Sequence, residues 1–222
     1  MKRIWAFLPF LLVGATHLVG LFAGVSPLSS ATKALLMPAL LLAVLLCLPL
    51  RRVAVVVPTA LAIGFSWGGD ILIASPSDAA FLFGLGFFFL AHTAYLVLFL
   101  GPLRVQPMPG TVGVLVVWWG ALLLILQPSI GGLLVPLGAY GFILAASTAA
   151  SFGTTRTIAA GALLFLASDT LLALKLFLPA FSLWESDFII MLLYVAGQGL
   201  IGLGIVQRAA AMATRSEVAP VE

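Results

Sequence analysis

The chain has 222 residues, 63% of them hydrophobic and only 8% charged, against roughly 45–50% and about 25% in soluble domains. That composition, with a mean hydropathy of +1.26, excludes a soluble globular protein and indicates an integral membrane protein. The net charge of +3 is small and reads as a matter of topology rather than of a nucleic-acid partner, and the single cysteine, Cys47, excludes an intrachain disulfide and a cysteine metal site.

Stretches of about 20 apolar residues cross a bilayer, and Pro, Gly and charge divide the chain into eight of them. The opening MKRIWAFLPFLLVGATHLVG is too long for a signal-peptide core and has no clear small-residue cleavage site, so it reads as the first span. The expected spans are 4–24, 33–50, 53–75, 79–100, 111–127, 131–151, 156–178 and 187–207, forming one transmembrane domain over 1–222 with a short tail at 208–222. Connections such as SPSD and PSIG are so short that sequential helices must be antiparallel. The expected fold class is therefore an all-α, polytopic membrane bundle of eight transmembrane helices.

Cytoplasmic ends of spans collect Lys and Arg. With an even number of spans and the N-terminus inside, Lys2, Arg3, Arg51, Arg52, Arg104, Arg156, Arg208 and Arg215 share the cytoplasmic side, so both termini are expected there. Lys33 and Lys175 fall near the other face with Asp78, Glu185 and Asp187, either as snorkelling charges or as phosphate ligands. The brevity of the chain and the absence of retention signals lead to the expectation of a bacterial inner membrane. Asp70-Ile71-Leu72-Ile73-Ala74 and Asp169-Thr170-Leu171-Leu172-Ala173 share DxLxA at an offset of 99, as do Tyr95 and Tyr194, which suggests a four-plus-four parallel internal repeat.

An ionisable side chain in the hydrocarbon costs roughly 2.5–3.5 kcal/mol on insertion scales, so each marks a candidate site. Asp70 lies on the third span, His92 and Tyr95 on the fourth, Asp169 on the seventh, and Tyr194 and Gln198 on the eighth. Ser66 and Asp70, Phe88 and His92, and Tyr194 and Gln198 are i and i+4 pairs, while His92 and Tyr95 are i and i+3, so each pair shares a helix face. These stripes are expected to line one interior cavity, with Gly68, Gly69 and Ser168 permitting close approach. His17 and Tyr140 read as structural, and Trp5, Trp118, Trp119 and Trp184 as an interfacial belt.

GFSWGGD, residues 64–70, also contains the GxSxG of serine hydrolases. That pattern needs a strand-to-helix turn, whereas Ser66 sits within an unbroken apolar span. Asp70 is the costlier residue, and Ser66 is expected to be a same-face neighbour able to hydrogen-bond it.

SWGGD, then Phe88, His92 and Tyr95 as FxxxHxxY, then Phe165, Ser168 and Asp169 as FxxSD, then Tyr194 and Gln198 as YxxxQ, together resemble the YhhN family of lysoplasmalogenase-like eight-helix membrane proteins. TKALLMP at 32–38 resembles the family's Lys-containing entry to its second helix, with Ala34 where the family commonly has proline. The resemblance implies hydrolysis of the vinyl ether bond of a lysoplasmalogen, a lysophospholipid substrate, by water, giving a fatty aldehyde and glycerophospho-ethanolamine or -choline. It carries the family's two aspartates onto Asp70 and Asp169. Two carboxyl groups in different protonation states can protonate the vinyl ether and deliver water to the cation that results. In that scheme Asp169 is taken as the acid and Asp70 as the base and cation stabiliser, the reverse assignment staying open from sequence, with Ser66, His92, Tyr95, Ser168, Tyr194, Gln198 and Lys33 in supporting roles and no metal or cofactor required. Two rivals stand beside it: a small proton-coupled transporter, and an intramembrane serine hydrolase using Ser66.

Overall fold

A computed structural model describes residues 4–218. Lys2, Arg3 and the side chain of Arg215, which enter the charge argument, lie outside the described residues, as does the end of the tail at 219–222. The described chain is all-helical: α1 (Leu8–Phe22) follows a 3-10 turn at Ile4–Phe7, and then come α2 (Ser26–Cys47), α3 (Val53–Ile73), α4 (Asp78–Leu100), α5 (Val114–Ile130), α6 (Leu134–Ser151), α7 (Arg156–Phe177) and α8 (Ser186–Val218). Seven helical stretches are long and apolar enough to cross a membrane, because α5 and α6 run together as Val114–Ser151 through a single 3-10 turn. That stretch nevertheless reverses at Gly131, whose φ of 47° is open to glycine and strained for other residues. Across the reversal the Trp119 indole N–H donates to the Gly138 carbonyl at 3.0 Å, and its ring meets Phe142 edge-on.

Two boundaries differ most from the sequence expectation. α2 begins at Ser26 rather than 33, since Pro27 occupies its first turn, where no backbone N–H is needed. Lys33 therefore sits two turns inside the helix. α8 continues past the expected end of its span at 207 to Val218, so much of the expected tail is helical.

Two tight antiparallel hairpins, α3 with α4 and α7 with α8, form the centre. Their closeness is written in glycine. A Cβ on Gly68 would come within 2.4 Å of the Phe87 ring, and one on Gly69 within 2.6 Å of the Phe88 ring, so the SWGGD glycines let the α4 phenylalanines lie on the α3 backbone. In the second hairpin Gly161 and Gly197 meet backbone to backbone: their Cβ atoms would stand 2.7 Å and 2.9 Å from each other's carbonyl oxygens. Such contacts supply the dispersion that holds membrane helices together where lipid removes the hydrophobic drive. Ser77 and Thr155 cap the N-termini of α4 and α7.

The proline inside α2 is compensated from outside. Pro38 cannot donate to the Ala34 carbonyl one turn earlier, and the Trp67 indole N–H of α3 donates to that oxygen at 2.9 Å. This bond ties α2 to α3 beside Lys33.

The ends of the bundle differ in charge. Arg51, Arg52, Arg104 and Arg156 lie in or beside the α2–α3, α4–α5 and α6–α7 connections. The backbone N–H groups of Val105 and Gln106 donate to the Gly153 carbonyl at 2.8 and 3.1 Å, and an Arg208 N–H donates to the Arg104 carbonyl at 3.4 Å, gathering this end together. At the opposite end lie the α1–α2, α3–α4, α5–α6 and α7–α8 turns, where Lys175 and Asp187 form an ion pair at 2.6 Å.

Candidate functional site

A cavity of ≈ 240 Å³ opens toward that second end. Asp70 and Tyr194, from α3 and α8, line it together with Asp169 and Ser168 of α7 and Tyr140 of α6. The Tyr194 hydroxyl donates to Asp70 Oδ2 at 2.7 Å, and the Tyr140 hydroxyl donates to Asp169 Oδ2. Each carboxyl group thus has one oxygen held by a phenol, leaving Oδ1 for another partner. Asp70 is only 7% exposed, while Asp169 is the more open of the two. Ser168 donates to the Ile190 carbonyl at 2.9 Å, which pins α7 to α8 beside Asp169.

The remaining walls differ in character. On one side α1 and α2 contribute His17, Ser29, Ser30 and Lys33. On the other, α5 contributes Trp118, Trp119, Leu122, Leu123 and Leu126, an apolar face. The packing orders these walls: α2 packs on α3, and both α1 and α2 pack on α8, whereas α5 packs on α6 and α7. Going across the cavity, the order is a polar wall bearing Lys33, then Asp70 with Tyr194, then Asp169 with Tyr140, then the apolar wall.

Of the residues named from sequence, Asp70, Asp169, Ser168, Tyr194 and Lys33 come together here. Ser66, His92, Tyr95 and Gln198 do not line the cavity; they form a buried layer behind it. Tyr95 donates to Gln198 Oε1 at 2.7 Å, and Gln198 Nε2 donates to Ser66 Oγ at 3.2 Å. Ser66 therefore bonds Gln198 rather than Asp70. His92 Nδ1 lies 2.9 Å from Ser147 Oγ, whose own proton goes to the Leu144 carbonyl, so the ring donates to that serine. A histidine donating to a serine is the reverse of the proton abstraction a serine nucleophile needs. The His92 ring is wedged edge-on against Phe165, at 4.7 Å between centroids.

Four residues enter the site that the sequence had placed elsewhere, His17 of the polar wall among them. Tyr140 holds Asp169, and Trp118 and Trp119 belong to the cavity rather than to an interfacial belt, while Trp5 and Trp184 are exposed as a belt requires. One signal could have found Tyr140: a mid-span phenol must have a hydrogen-bond partner, and few acceptors were on offer. The offset-99 repeat is not matched by the hydrogen bonds of its aspartates and tyrosines. It would pair Asp169 with Tyr95 as Asp70 pairs with Tyr194, whereas Asp169 bonds Tyr140 and Tyr95 bonds Gln198. Among the described residues no group of three or more His, Cys, Asp or Glu converges as metal ligands would.

No curated protein and no solved structure matches the chain. The model of the YhhN family matches residues 28–205, which take in both aspartates, both of their tyrosines and most of every cavity wall except α1. Because the match covers well over half of the chain, this protein belongs to the YhhN family.

Proposed function

We propose that the protein is a membrane-embedded hydrolase of lysoplasmalogen type, cleaving the vinyl ether of a lysophospholipid with water as co-substrate. One observation carries the reading: two phenol-held carboxyl groups lie between a polar wall bearing Lys33 and an apolar wall. A vinyl-ether lysolipid has the same order of chemistry, with an anionic head group and glycerol on one side of the reactive bond and a hydrocarbon tail on the other.

The same order assigns the two aspartates. With the head group toward α1 and α2, Asp70 faces the glycerol side of the bond and Asp169 the tail side. Protonation of a vinyl ether occurs on the carbon bearing the tail, so Asp169 is the acid. The resulting oxocarbenium ion is stabilised by ionised Asp70, which then takes a proton from the water that attacks the cationic carbon. The hemiacetal so formed breaks its bond to the glycerol oxygen, which receives the proton held on Asp70. The hemiacetal hydroxyl returns its proton to Asp169 as the aldehyde forms, and both carboxyl groups regain their starting states. Tyr194 and Tyr140 orient the two carboxyl groups throughout.

The proposed topology has eight membrane crossings with both termini on the arginine-rich, cytoplasmic side of a bacterial inner membrane. The cavity then opens toward the outer leaflet.

Purified protein incubated with an alkenyl lysolipid should release fatty aldehyde, and Asp70→Asn and Asp169→Asn should each lower release by at least about a hundredfold, the low end for loss of a positioned acid or base. Wild-type protein that binds or moves the lipid without releasing aldehyde would overturn the hydrolase reading in favour of a transporter.

A further inference from the structure

His17 belongs to the cavity but to none of the chemistry above. It is 1% exposed, on α1, and its Nδ1 lies 2.9 Å from the Ser29 carbonyl and 3.0 Å from Thr32 Oγ1. Both neighbours are acceptors. A carbonyl can only accept, and the Thr32 hydroxyl spends its own proton on the Leu28 carbonyl at 2.6 Å. Nδ1 must therefore carry the ring proton, which leaves Nε2 of the neutral ring as a bare acceptor. Nε2 is buried and has no partner; the same holds for Nε2 of His92, but of the two histidines only His17 lines the cavity. A buried acceptor without a donor is costly enough to require an explanation, and a ligand is one.

From this orphaned atom and the place of the His17 side chain in a cavity lining shared with Lys33 and Asp70, we infer that His17 Nε2 accepts the free glycerol hydroxyl of a lysolipid and so selects lysolipids over lipids acylated at that carbon. The inference rests on the lysolipid reading above. In such a lipid the hydroxyl carbon lies between the phosphate and the ether oxygen. A phosphate at Lys33 and an ether at Asp70 place the hydroxyl on the α1–α2 wall, where His17 stands. Acylation of that hydroxyl removes its only proton, leaving Nε2 unpaired and adding a second chain on the polar side of the cavity. Lys33 alone would accept either lipid, because both carry the phosphate. His17 supplies the discrimination.

Binding of two saturated ether lysolipids, identical except that the glycerol hydroxyl is free in one and methyl-capped in the other, tests this without any need for turnover. The wild-type protein should bind the free hydroxyl at least about tenfold more tightly, the scale of one buried hydrogen bond left unmade. In His17→Phe the two should bind alike, with weakened affinity for the free hydroxyl. With the cleavable alkenyl lysolipid, KM should rise in that variant while kcat changes little. Equal binding of the two lipids by the wild-type protein, or a preference that persists unchanged in His17→Phe, would overturn the inference. Absence of aldehyde release together with a preserved hydroxyl preference would count against the hydrolase and leave the role of His17 standing.

Discussion

Each aspartate in the cavity owes its orientation to a single phenol, and the two phenols are unequal in how readily the sequence discloses them. Tyr194 stands one turn before Gln198 and shares its face, so helical spacing alone brings it to notice. Tyr140 stands in an apolar run with no ionisable neighbour, and only the packing of α6 on α7 brings its hydroxyl to Asp169. Removing that hydroxyl leaves the carboxyl free to turn without emptying the site. Tyr140→Phe should lower aldehyde release about tenfold, with correctly folded protein by gel filtration, since one hydrogen bond to a reacting group is lost and both reacting groups remain. Ser66→Ala should retain most of the activity, because Ser66 accepts from Gln198 in the layer behind the cavity and does not itself line it. Loss of activity in Ser66→Ala together with sensitivity to a serine-reactive phosphonate would instead revive the nucleophilic serine.

At the scale of helices, the cavity depends on how closely two hairpins can be pressed together. Gly161 and Gly197 face each other through bare backbone, and neither chain can turn aside as a side chain would. Gly197→Ala would force its Cβ to 2.9 Å from both the Gly161 carbonyl oxygen and the Phe165 nitrogen, so α7 and α8 must separate. The expected cost is about 1–3 kcal/mol, the range for overpacking, read as a lowered thermal midpoint in detergent. Aldehyde release should fall as well, because Asp169 and Tyr194 ride on the two separated helices. The bond between Trp67 and the Ala34 carbonyl is an independent device. Trp67→Phe should cost about 1 kcal/mol by leaving that carbonyl unpaired, and the loss should vanish when Pro38→Ala restores the helical donor.

For the whole molecule, the arrangement of charge predicts an orientation that labelling can read. Cys47 is the only native thiol and is buried, so single cysteines can be introduced against a quiet background. Ser75→Cys, in the α3–α4 turn, should react with an impermeant maleimide applied to intact cells. Met108→Cys, in the α4–α5 connection, should react only after the membrane is opened. The reverse pattern would invert the topology and place the mouth of the cavity on the cytoplasmic side.

Composition and hydropathy determined that the chain lives in a membrane, because apolar length and the cost of buried charge are properties of the chain itself. The same cost singled out Asp70 and Asp169, and the glycines beside Asp70 announced a close helix contact. Partnership was decided only in three dimensions. Whether Ser66 would serve Asp70 or Gln198, whether His92 would face a ligand or a phenylalanine, and whether Tyr140 had any role all depended on which helix lay opposite. Helical periodicity gives each residue a face, but the neighbour of that face is set by the packing of the helices. His17 shows the difference most plainly. From sequence it is one histidine in an apolar helix, while in the folded bundle both neighbours of Nδ1 are acceptors and Nε2 is left without a partner.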